Sequence, residues 1–271
     1  TDFRGLVEYY WSITPDEPND MARRFTAHAL RGVDRGRHLL EAQPGVRAKF
    51  QPDRGTRVLE LGTRTGGLLL AAAERTDSAL GIDIAFRWLI IARKRLQEAE
   101  RPAQLVCCCA EFLPFHEEAF DLVLAENLLE HTAQPAKCIE EAHRVLKQDG
   151  IFFATTWNRL AAAPEPHVRL WGVGWLPRGL AKRYVRWRKR VGYDHVRLLS
   201  IFNLKRICAR TSFGRCAIEL PDLSAADLEQ LSPAQRRAVR LYHRIKDVPF
   251  FRQLLLIIAP IFHLVCSRVA R

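Results

Sequence analysis

The feature that most constrains the fold is an alternation of short apolar runs with amphipathic segments between residues 57 and 156. The apolar runs occupy residues 58–61, 78–82, 105–108, 120–125 and 151–156, and helical patterns occupy residues 68–74, 86–96 and 135–146. The apolar runs do not alternate with polar residues, which is typical of strands buried on both faces of a parallel sheet. Strands and helices in this order predict an α/β fold with a doubly wound sheet.

The segments on either side of this alternation have a different texture. Residues 1–50 are predicted to be helical, with turn and cap signals at Asp16, Pro18 and Asp20. After residue 160 we expect a helix at 202–211, a strand at 215–220, and helices at about 224–247 and 249–267. The predicted organisation is therefore an N-terminal helical segment (1–50), a core (51–160), and a region (161–271) that holds an insertion, the end of the sheet and C-terminal helices.

Glycines and acidic residues lie where the first two predicted strands end. Gly62 and Gly66 join the first strand to a helix, where glycine lets the backbone approach a ligand and the helix offers free N–H groups. Asp83 closes the next strand 21 residues beyond Gly62, a spacing at which a carboxylate reaches the ribose hydroxyls of an adenosine cofactor. Glu60 precedes the first glycine by two residues, and a carboxylate there favours a cationic ligand over a pyrophosphate.

Four motifs in this order make residues 57–158 resemble the class I methyltransferases that depend on S-adenosyl-L-methionine. They are the turn from Glu60 to Gly67, the strand end Gly81–Ile84, the stretch Glu111–Phe115, and the turn Arg144–Gly150. The resemblance implies a Rossmann-like fold and methyl transfer from S-adenosylmethionine. Two residues depart from the family pattern: Arg64 replaces the middle glycine, and Cys109 stands where an acid commonly contacts the adenine.

The resemblance also implies a set of cofactor-binding residues. Glu60 and the glycine turn are expected to hold the amino-acid tail, Asp83 the ribose, and Ile84 with Phe112 the adenine. The full predicted set is Glu60, Gly62, Thr63, Gly66, Asp83, Ile84, Ala110, Glu111, Phe112 and Glu126.

The exit of the fourth strand, Glu126 to His131, is predicted to face the methyl acceptor. It is most similar to the ubiquinone-pathway O-methyltransferases, whose Glu-x-x-Glu-His motif contributes ligands to a divalent metal. Here Asn127 stands in place of the first Glu. Three interpretations are open: a metal held by Asn127, Glu130 and His131; His131 as a general base supported by Glu130; or a histidine that only caps a loop. His195 is a second candidate beside the acceptor, unless it lies in a surface turn.

Positive charge is concentrated in the last part of the chain. Residues 161–271 carry 21 Lys and Arg against 7 Asp and Glu, whereas residues 1–160 carry 21 against 23. On a helix, Leu180, Tyr184, Trp187 and Val191 share one face, opposite a block of Arg and Lys. This composition favours contact with an anionic membrane or a lipid-like substrate, and the segment 249–267 offers a second such element. An active-site lid with solvated charges and a nucleic-acid contact are the alternatives.

Together these features predict methyl transfer to an oxygen of a small or lipid-linked acceptor. The alternatives are an RNA or protein methyltransferase and an inactive adaptor at a membrane; a nicotinamide dehydrogenase is disfavoured because the glycine turn lacks the G-x-G-x-x-G spacing. Seven cysteines without a C-x-x-C pair predict reduced thiols in a reducing compartment. The most apolar run, 254–265, is shorter than the roughly 20 residues of a membrane span, so we expect a cytoplasmic protein that is at most peripheral on a membrane.

Overall fold

A computed structural model describes residues 1–13, 19–51, 55–222 and 233–269. Its strands are β1 (Val58–Leu61), β2 (Ala79–Asp83), β3 (Gln104–Cys107), β4 (Phe120–Glu126), β5 (Leu146–Trp157), β6 (Arg215–Glu219) and β7 (Ile261–Ser267). They form one seven-stranded sheet in the order β3-β2-β1-β4-β5-β7-β6. The first five strands are parallel, and β7 runs antiparallel to both β5 and β6. The predicted α/β doubly wound sheet is confirmed.

Helices cover both faces of the sheet. They are α1 (Phe3–Ser12), α2 (Asn19–Leu30), α3 (Gly32–Ala42), α4 (Pro44–Arg47), α5 (Gly67–Ala73), α6 (Phe86–Glu98), α7 (Pro135–Val145), α8 (Arg178–Lys189), α9 (Ile201–Cys208), α10 (Pro233–Ile245) and α11 (Pro249–Ile258). The predicted helical N-terminal segment is confirmed, while Asp16, Pro18 and the first part of the predicted helix 224–247 lie outside the described residues. None of the described helices has the length and apolar character that crossing a membrane requires.

The central strands are apolar throughout because each of their faces packs against helices. Alternate residues of β1 and β4, such as Leu59 and Val123, lie in one core cluster with Ile139 of α7. The residues between them, such as Val58 and Leu122, lie in a second cluster that includes side chains of α3 and α5. Full burial of each such side chain contributes about 1.5–3 kcal/mol. Residues on both faces of these strands are therefore apolar, so apolar and polar residues do not alternate along them.

The C-terminal segment corrects one prediction. A helix through 249–267 is wrong beyond Ile258, because residues 261–267 form β7 and pair with β5 on one side and β6 on the other. Ala259 is extended (φ −60°, ψ 147°), as the residue before a proline prefers to be. Only residues 249–258 therefore remain helical, and the rest of the apolar run is buried in the sheet.

The cysteines correct a second prediction. Cys216 of β6 and Cys266 of β7 are directly opposite each other and form a disulfide, with their Cα atoms 4.1 Å apart. The other five cysteines are free thiols. The expectation that all seven are reduced is therefore wrong for this pair, which the register of two distant strands brings together.

The segment after β5 forms a small core of its own. Val168, Val173, Val185 of α8, Tyr193 and Val196 are buried together, apart from the clusters that cover the sheet. A backbone hydrogen bond from Arg197 N to Glu130 O (2.7 Å) ties this segment to the exit of β4. The insertion is thus fixed beside the edge of the sheet where the predicted site residues lie.

Candidate functional site

The turn between β1 and α5 requires glycine at two positions. Gly62 and Gly66 both have φ +72°, a region that side chains disfavour. A Cβ atom at Gly66 would also lie 3.0 Å from Ala92 Cβ of α6, and one at Gly62 would lie 2.8 Å from Leu128 Cδ1. Arg64, the departure from the family glycine pattern, is left-handed as well (φ +48°), and its guanidinium lies 5.9 Å from the ring centre of Trp88.

Asp83, at the end of β2, is tied to this turn. Its two carboxylate oxygens accept hydrogen bonds from the backbone N–H groups of Arg64 (2.9 Å) and Ala85 (2.8 Å). Burial raises the pKa of Asp83, and the two backbone hydrogen bonds act against that rise. A carboxylate offers about four lone-pair positions, so two remain for a pair of ligand hydroxyls.

Glu60 is a buried acid with unused hydrogen-bonding capacity. It is 2% exposed, and among the described residues its Oε2 atom has no hydrogen-bond partner. Burial, followed by the negative charge of Glu126, raises the pKa of Glu60 well above its usual value. A cationic group bound at this position would stabilise the carboxylate form and give the free oxygen a partner.

Glu60 lines a cleft that is open to solvent and is also lined by residues of the N-terminal helices. Of the predicted cofactor residues, Glu60, Gly62, Thr63 and Glu126 line this cleft. Opposite them lie Trp11, Phe25, His28 and Arg35, none of which the sequence analysis had singled out. The only feature of the sequence that could have indicated these four residues is the number of aromatic side chains among the first 30 residues.

Arg35 of α3 connects the N-terminal helices that line the cleft to the sheet. Its guanidinium forms an ion pair with Glu126 at the end of β4. Burial opposes ionisation of Glu126, but Arg35 outweighs it and the pKa of Glu126 is lowered. Burial, then Arg35, lowers the pKa of the neighbouring His28 to about 3, so His28 is neutral. Glu126 is therefore already paired in this structure, and its role in cofactor binding stays a prediction.

The predicted adenine end presents two exposed apolar side chains. Ile84 after β2 is 72% exposed and Phe112 is 65% exposed, both high for large apolar residues. The loop that carries Phe112, after β3, is held by Glu111, whose carboxylate accepts hydrogen bonds from Cys109 Sγ (2.6 Å) and Ala133 N (2.9 Å). Glu111 therefore faces the protein and fixes the loop before α7. Ala110 is buried beneath it.

At the acceptor side, Glu130 lies in a short helical turn after β4 and is completely buried. Its Oε2 accepts a hydrogen bond from Thr156 Oγ1 of β5 (2.9 Å). Its Oε1 has no partner within the described parts of the chain. Burial raises the pKa of Glu130. The next residue, His131, faces solvent and other histidines.

Three histidines meet beside Glu130. The Nε2 atoms of His131 and His167 are 3.2 Å apart, and the ring of His195 lies parallel to His131 at 6.3 Å between centroids. Partial burial of the ring, then the neighbouring His167 and Arg64, lower the pKa of His131. The structure thus brings together the predicted His131 and His195, and it adds His167, which the sequence analysis missed.

His167 is itself held in place by an acid. Its Nδ1 lies 2.5 Å from Glu165 Oε1, and the other oxygen of Glu165 accepts from Val168 N (2.7 Å). Glu165 is 4% exposed. A buried carboxylate on Nδ1 fixes the ring orientation and leaves Nε2 directed at His131.

The two residues at the start of the strand-four exit, Glu126 and Asn127, have partners within the protein. Asn127 (φ +49°) accepts a hydrogen bond from Thr155 Oγ1 through its side chain (3.1 Å) and donates to Thr155 O through its backbone (3.0 Å). Glu126 is paired with Arg35. Ligating atoms of Glu130, His131 and His167 lie within 4.8 Å of one another. Asn127 as a metal ligand therefore stays a prediction, and His167 lies beside the two motif residues Glu130 and His131.

The basic surface of α8 also carries exposed apolar side chains. Ala181 and Val185 form its buried face, whereas Leu180 and Trp187 are 52% and 73% exposed. The predicted apolar face is therefore divided: Leu180 and Trp187 are exposed, whereas Tyr184 packs partly against the small core after β5. Val191 also packs against that core, but it lies beyond the helix end at Lys189. Other large apolar side chains are exposed too, namely Trp171 and Trp175 just before α8, and Phe250 and Phe251 in α11.

Comparison with known proteins places this geometry in context. Residues 59–154 match the family described as "Methyltransferase domain". The ubiquinone biosynthesis O-methyltransferase of Idiomarina loihiensis is 33% identical over 132 residues, covering 46% of this chain and 53% of that protein. The enzyme of the same name from Glaesserella parasuis is 33% identical over 117 residues, covering 40% and 48%. The chain thus spans about half the length of these curated relatives.

Solved structures confirm the fold. Phosphoethanolamine N-methyltransferase 2 of Haemonchus contortus superposes with a TM-score of 0.59 at 17% identity, covering all of this chain and 61% of that one. The YcgJ protein of Bacillus subtilis superposes with a TM-score of 0.54 at 19% identity, covering 88% of this chain and all of that one. At these identities the likeness concerns the fold alone.

Proposed function

Because residues 59–154 are a class I methyltransferase domain of the type that uses S-adenosylmethionine, we propose that this chain methylates an oxygen of a small or lipid-linked acceptor. The observation that carries the proposal is the pair of acids at the ends of β1 and β2. Glu60 is a buried carboxylate with a free oxygen beside a cleft, and Asp83 retains two acceptor positions next to the glycine turn. These match the ammonium and the ribose hydroxyls of the cofactor.

The choice of oxygen as the methylated atom comes from the relatives. The proteins that match in sequence are named ubiquinone biosynthesis O-methyltransferases. The acceptor end of this chain supports that choice because His131 and Glu130 follow β4, next to the cofactor turn. Methyl transfer is an in-line displacement, so the protein's main tasks are to align the acceptor and to exclude water. A hydroxyl acceptor must also lose a proton, and we assign that step to an imidazole of the histidine cluster beside Glu130.

The test of this proposal is methyl transfer from labelled S-adenosylmethionine by the purified chain. Acceptors are offered as three separate pools: a bacterial lipid extract, soluble phenols and total RNA. We expect label in the lipid or phenol pool, as an O-methyl product identified by mass spectrometry, and its loss in His131→Ala. Label only in RNA, with activity falling steeply as salt rises, contradicts the small-molecule assignment. If the chain does not bind S-adenosylmethionine, the result contradicts methyl transfer and favours the alternative, an inactive adaptor at a membrane.

We further propose that the surface of α8 contacts anionic membrane, which would bring a lipid-linked acceptor to the site. The exposed Leu180 and Trp187 stand among basic residues of the same helix, namely Lys182, Arg183, Arg186, Arg188 and Lys189. Apolar anchors beside Lys and Arg are the composition of helices that lie in the interface of anionic bilayers.

Vesicle flotation tests this contact. We expect the chain to float with vesicles that contain phosphatidylglycerol and to stay in solution with pure phosphatidylcholine. Trp187→Ala should weaken binding several-fold, whereas Phe86→Ala removes a similarly exposed aromatic side chain from α6 (66% exposed) and should not. Equal binding by both variants, or equal binding to both vesicle types, contradicts the assignment.

A further inference from the structure

We propose that Arg64 is a charge-selective residue of the cofactor cleft, whose guanidinium favours the neutral thioether S-adenosylhomocysteine over the sulfonium cation S-adenosylmethionine. The inference rests on the proposed function and deepens it, because it concerns the cofactor half of the same site. Arg64 stands where the family pattern has a glycine. The proposed selectivity therefore belongs to a position at which this chain departs from that pattern.

The first support is the backbone at Arg64, which is fixed at the centre of the turn between β1 and α5. Its φ is +48°, and its N–H donates a hydrogen bond to Asp83 Oδ2 (2.9 Å). A left-handed backbone is disfavoured for a residue with a Cβ atom, whereas glycine adopts it freely. The chain therefore carries arginine here at a conformational cost, on a turn that is held against Asp83.

The second support is the place of the Arg64 side chain in the cleft. Arg64 lines the cleft together with Glu60, Glu126 and Trp88. Its guanidinium carbon lies 5.9 Å from the ring centre of Trp88, within the range of a cation–π contact. Such a contact holds the guanidinium in the wall of the cleft and leaves its charge unneutralised.

The third support is that the acids of the cleft are engaged elsewhere. Glu126 forms its ion pair with Arg35. The two oxygens of Asp83 accept hydrogen bonds from backbone N–H groups. Burial, followed by the charge of Glu126, raises the pKa of Glu60, which favours its neutral form. In the part of the chain that the structure describes, Arg64 therefore adds a positive charge that no carboxylate pairs with directly.

The charge of Arg64 acts on both the cofactor side and the acceptor side of the site. Burial raises the pKa of Asp83, and the backbone hydrogen bonds and then the guanidinium of Arg64 act against that rise. On the other side, burial and His167, followed by Arg64, lower the pKa of His131. The methyl group passes from the cofactor to the acceptor between these two sides. The guanidinium is therefore close enough to influence a positive charge on the sulfur atom.

The two forms of the cofactor differ by one methyl group and one positive charge. They share the adenosine, the ammonium group and the carboxylate, so contacts with those groups cancel in the ratio of the two dissociation constants. Two like charges about 9 Å apart, at effective dielectric constants of about 20–40, change a binding constant about 5- to 20-fold. The ratio Kd(S-adenosylmethionine)/Kd(S-adenosylhomocysteine) therefore isolates the effect of the guanidinium charge.

Calorimetric titration of both ligands into the full chain tests the proposal without a turnover assay. Arg64→Gln removes the charge and should lower the ratio about 5- to 20-fold, and Arg64→Gly, which also relieves the left-handed strain, should lower it similarly. Arg64→Lys keeps the charge and should keep the ratio. Arg87→Gln is the matched control, because Arg87 is an exposed arginine of α6 that lies over the ring of Tyr10 (5.4 Å) and is not part of the cleft lining. It should also keep the ratio. Added salt screens the repulsion and should lower the ratio of the parent chain.

Two results overturn the proposal. One is a ratio in Arg64→Gln and Arg64→Gly within twofold of the parent ratio. The other is an equal fall of the ratio in Arg64→Lys, which would assign the effect to the shape of the side chain and not to its charge. S-adenosylhomocysteine binding, measured on each variant, shows that the cofactor half is folded. Its absence from the parent chain defeats the proposed function together with this inference, whereas an unchanged ratio with that binding intact defeats the role of Arg64 alone.

Discussion

Replacement of Asp83 by alanine gives a quantitative test of the cofactor site. Each oxygen of Asp83 accepts one backbone N–H bond, from Arg64 and from Ala85, which fixes the carboxylate and leaves two positions for the ribose hydroxyls. Hydrogen bonds to a charged group contribute about 1.5–3 kcal/mol each. Loss of two such bonds is about 3–6 kcal/mol, which corresponds to a rise in Kd of about 10²- to 10⁴-fold.

The substitution also affects the fold, and this effect must be separated from the loss of binding. Asp83→Ala leaves the N–H groups of Arg64 and Ala85 without their acceptor, at about 1–3 kcal/mol each where water does not replace it. We therefore expect a lower melting temperature as well as weaker binding. Asp83→Asn keeps one acceptor oxygen and should lose only part of the affinity. Asp77→Ala, at an exposed position before β2, is the matched control.

The assay is calorimetric titration of S-adenosylhomocysteine into each variant at a temperature where all are folded. The reasoning is refuted if Asp83→Ala melts at a lower temperature but keeps the parent Kd within threefold. That outcome would make Asp83 a residue that holds the turn and does not touch the ribose. Weakened binding in Asp77→Ala as well would show that the effect is not specific to the carboxylate.

Three other substitutions or treatments give clear outcomes. Burial raises the folded-state pKa of Glu60 above its usual 4.5, so its contribution to stability should fall as the pH rises from about 4.5 through the folded pKa. Glu60→Gln should reduce this decline in a melting series across pH, leaving the part that comes from Asp83 and Glu130, and should also weaken cofactor binding. Gly66→Ala should lower the free energy of unfolding, measured with denaturant, by about 2–4 kcal/mol, because of the left-handed backbone and the contact with Ala92. Gly172→Ala is the control, since Gly172 is also left-handed (φ +75°) but a Cβ there has nothing within 4 Å, so only the backbone cost should remain. Equal losses in the two variants would contradict the contact with Ala92. Thiol titration of the denatured, unreduced chain should detect five thiols, and titration after full reduction should detect seven. Reduction of the disulfide should lower the free energy of unfolding by about 4 kcal/mol. Seven thiols before reduction would contradict the disulfide.

Much of the sheet could be predicted from the sequence because its central strands are buried on both faces. Val58–Leu61 and Phe120–Glu126 are short apolar runs bounded by turn residues, and helices follow the first, second and fourth strands. The glycine turn and Asp83 could be located for a similar reason, since each lies directly at the end of a strand. Local sequence determines such features, so a pattern of adjacent residues is enough to find them.

The features that were missed depend on distant parts of the chain. The apolar run of β7 fits a helix or a strand equally well by periodicity, and only its place between β5 and β6 decides. Cys216 and Cys266 are 50 residues apart and meet through strand register. His167 lies 36 residues after His131 in an irregular segment, and neither its spacing nor its neighbours in sequence indicate that their rings meet.

The place of β7 in the sheet has a consequence for how the chain is made. This strand lies between β5 and β6, although it is the last of the seven to leave the ribosome. Until residues 261–267 emerge, β6 has no neighbour in the sheet and β5 presents an open edge of unpaired N–H and C=O groups, the kind of surface that promotes aggregation. The parallel half, with its glycine turn and Asp83, has all its strands before that point. A ribosome-bound chain halted before β7 should therefore already protect the cofactor half from protease while the segment of β6 is still cleaved.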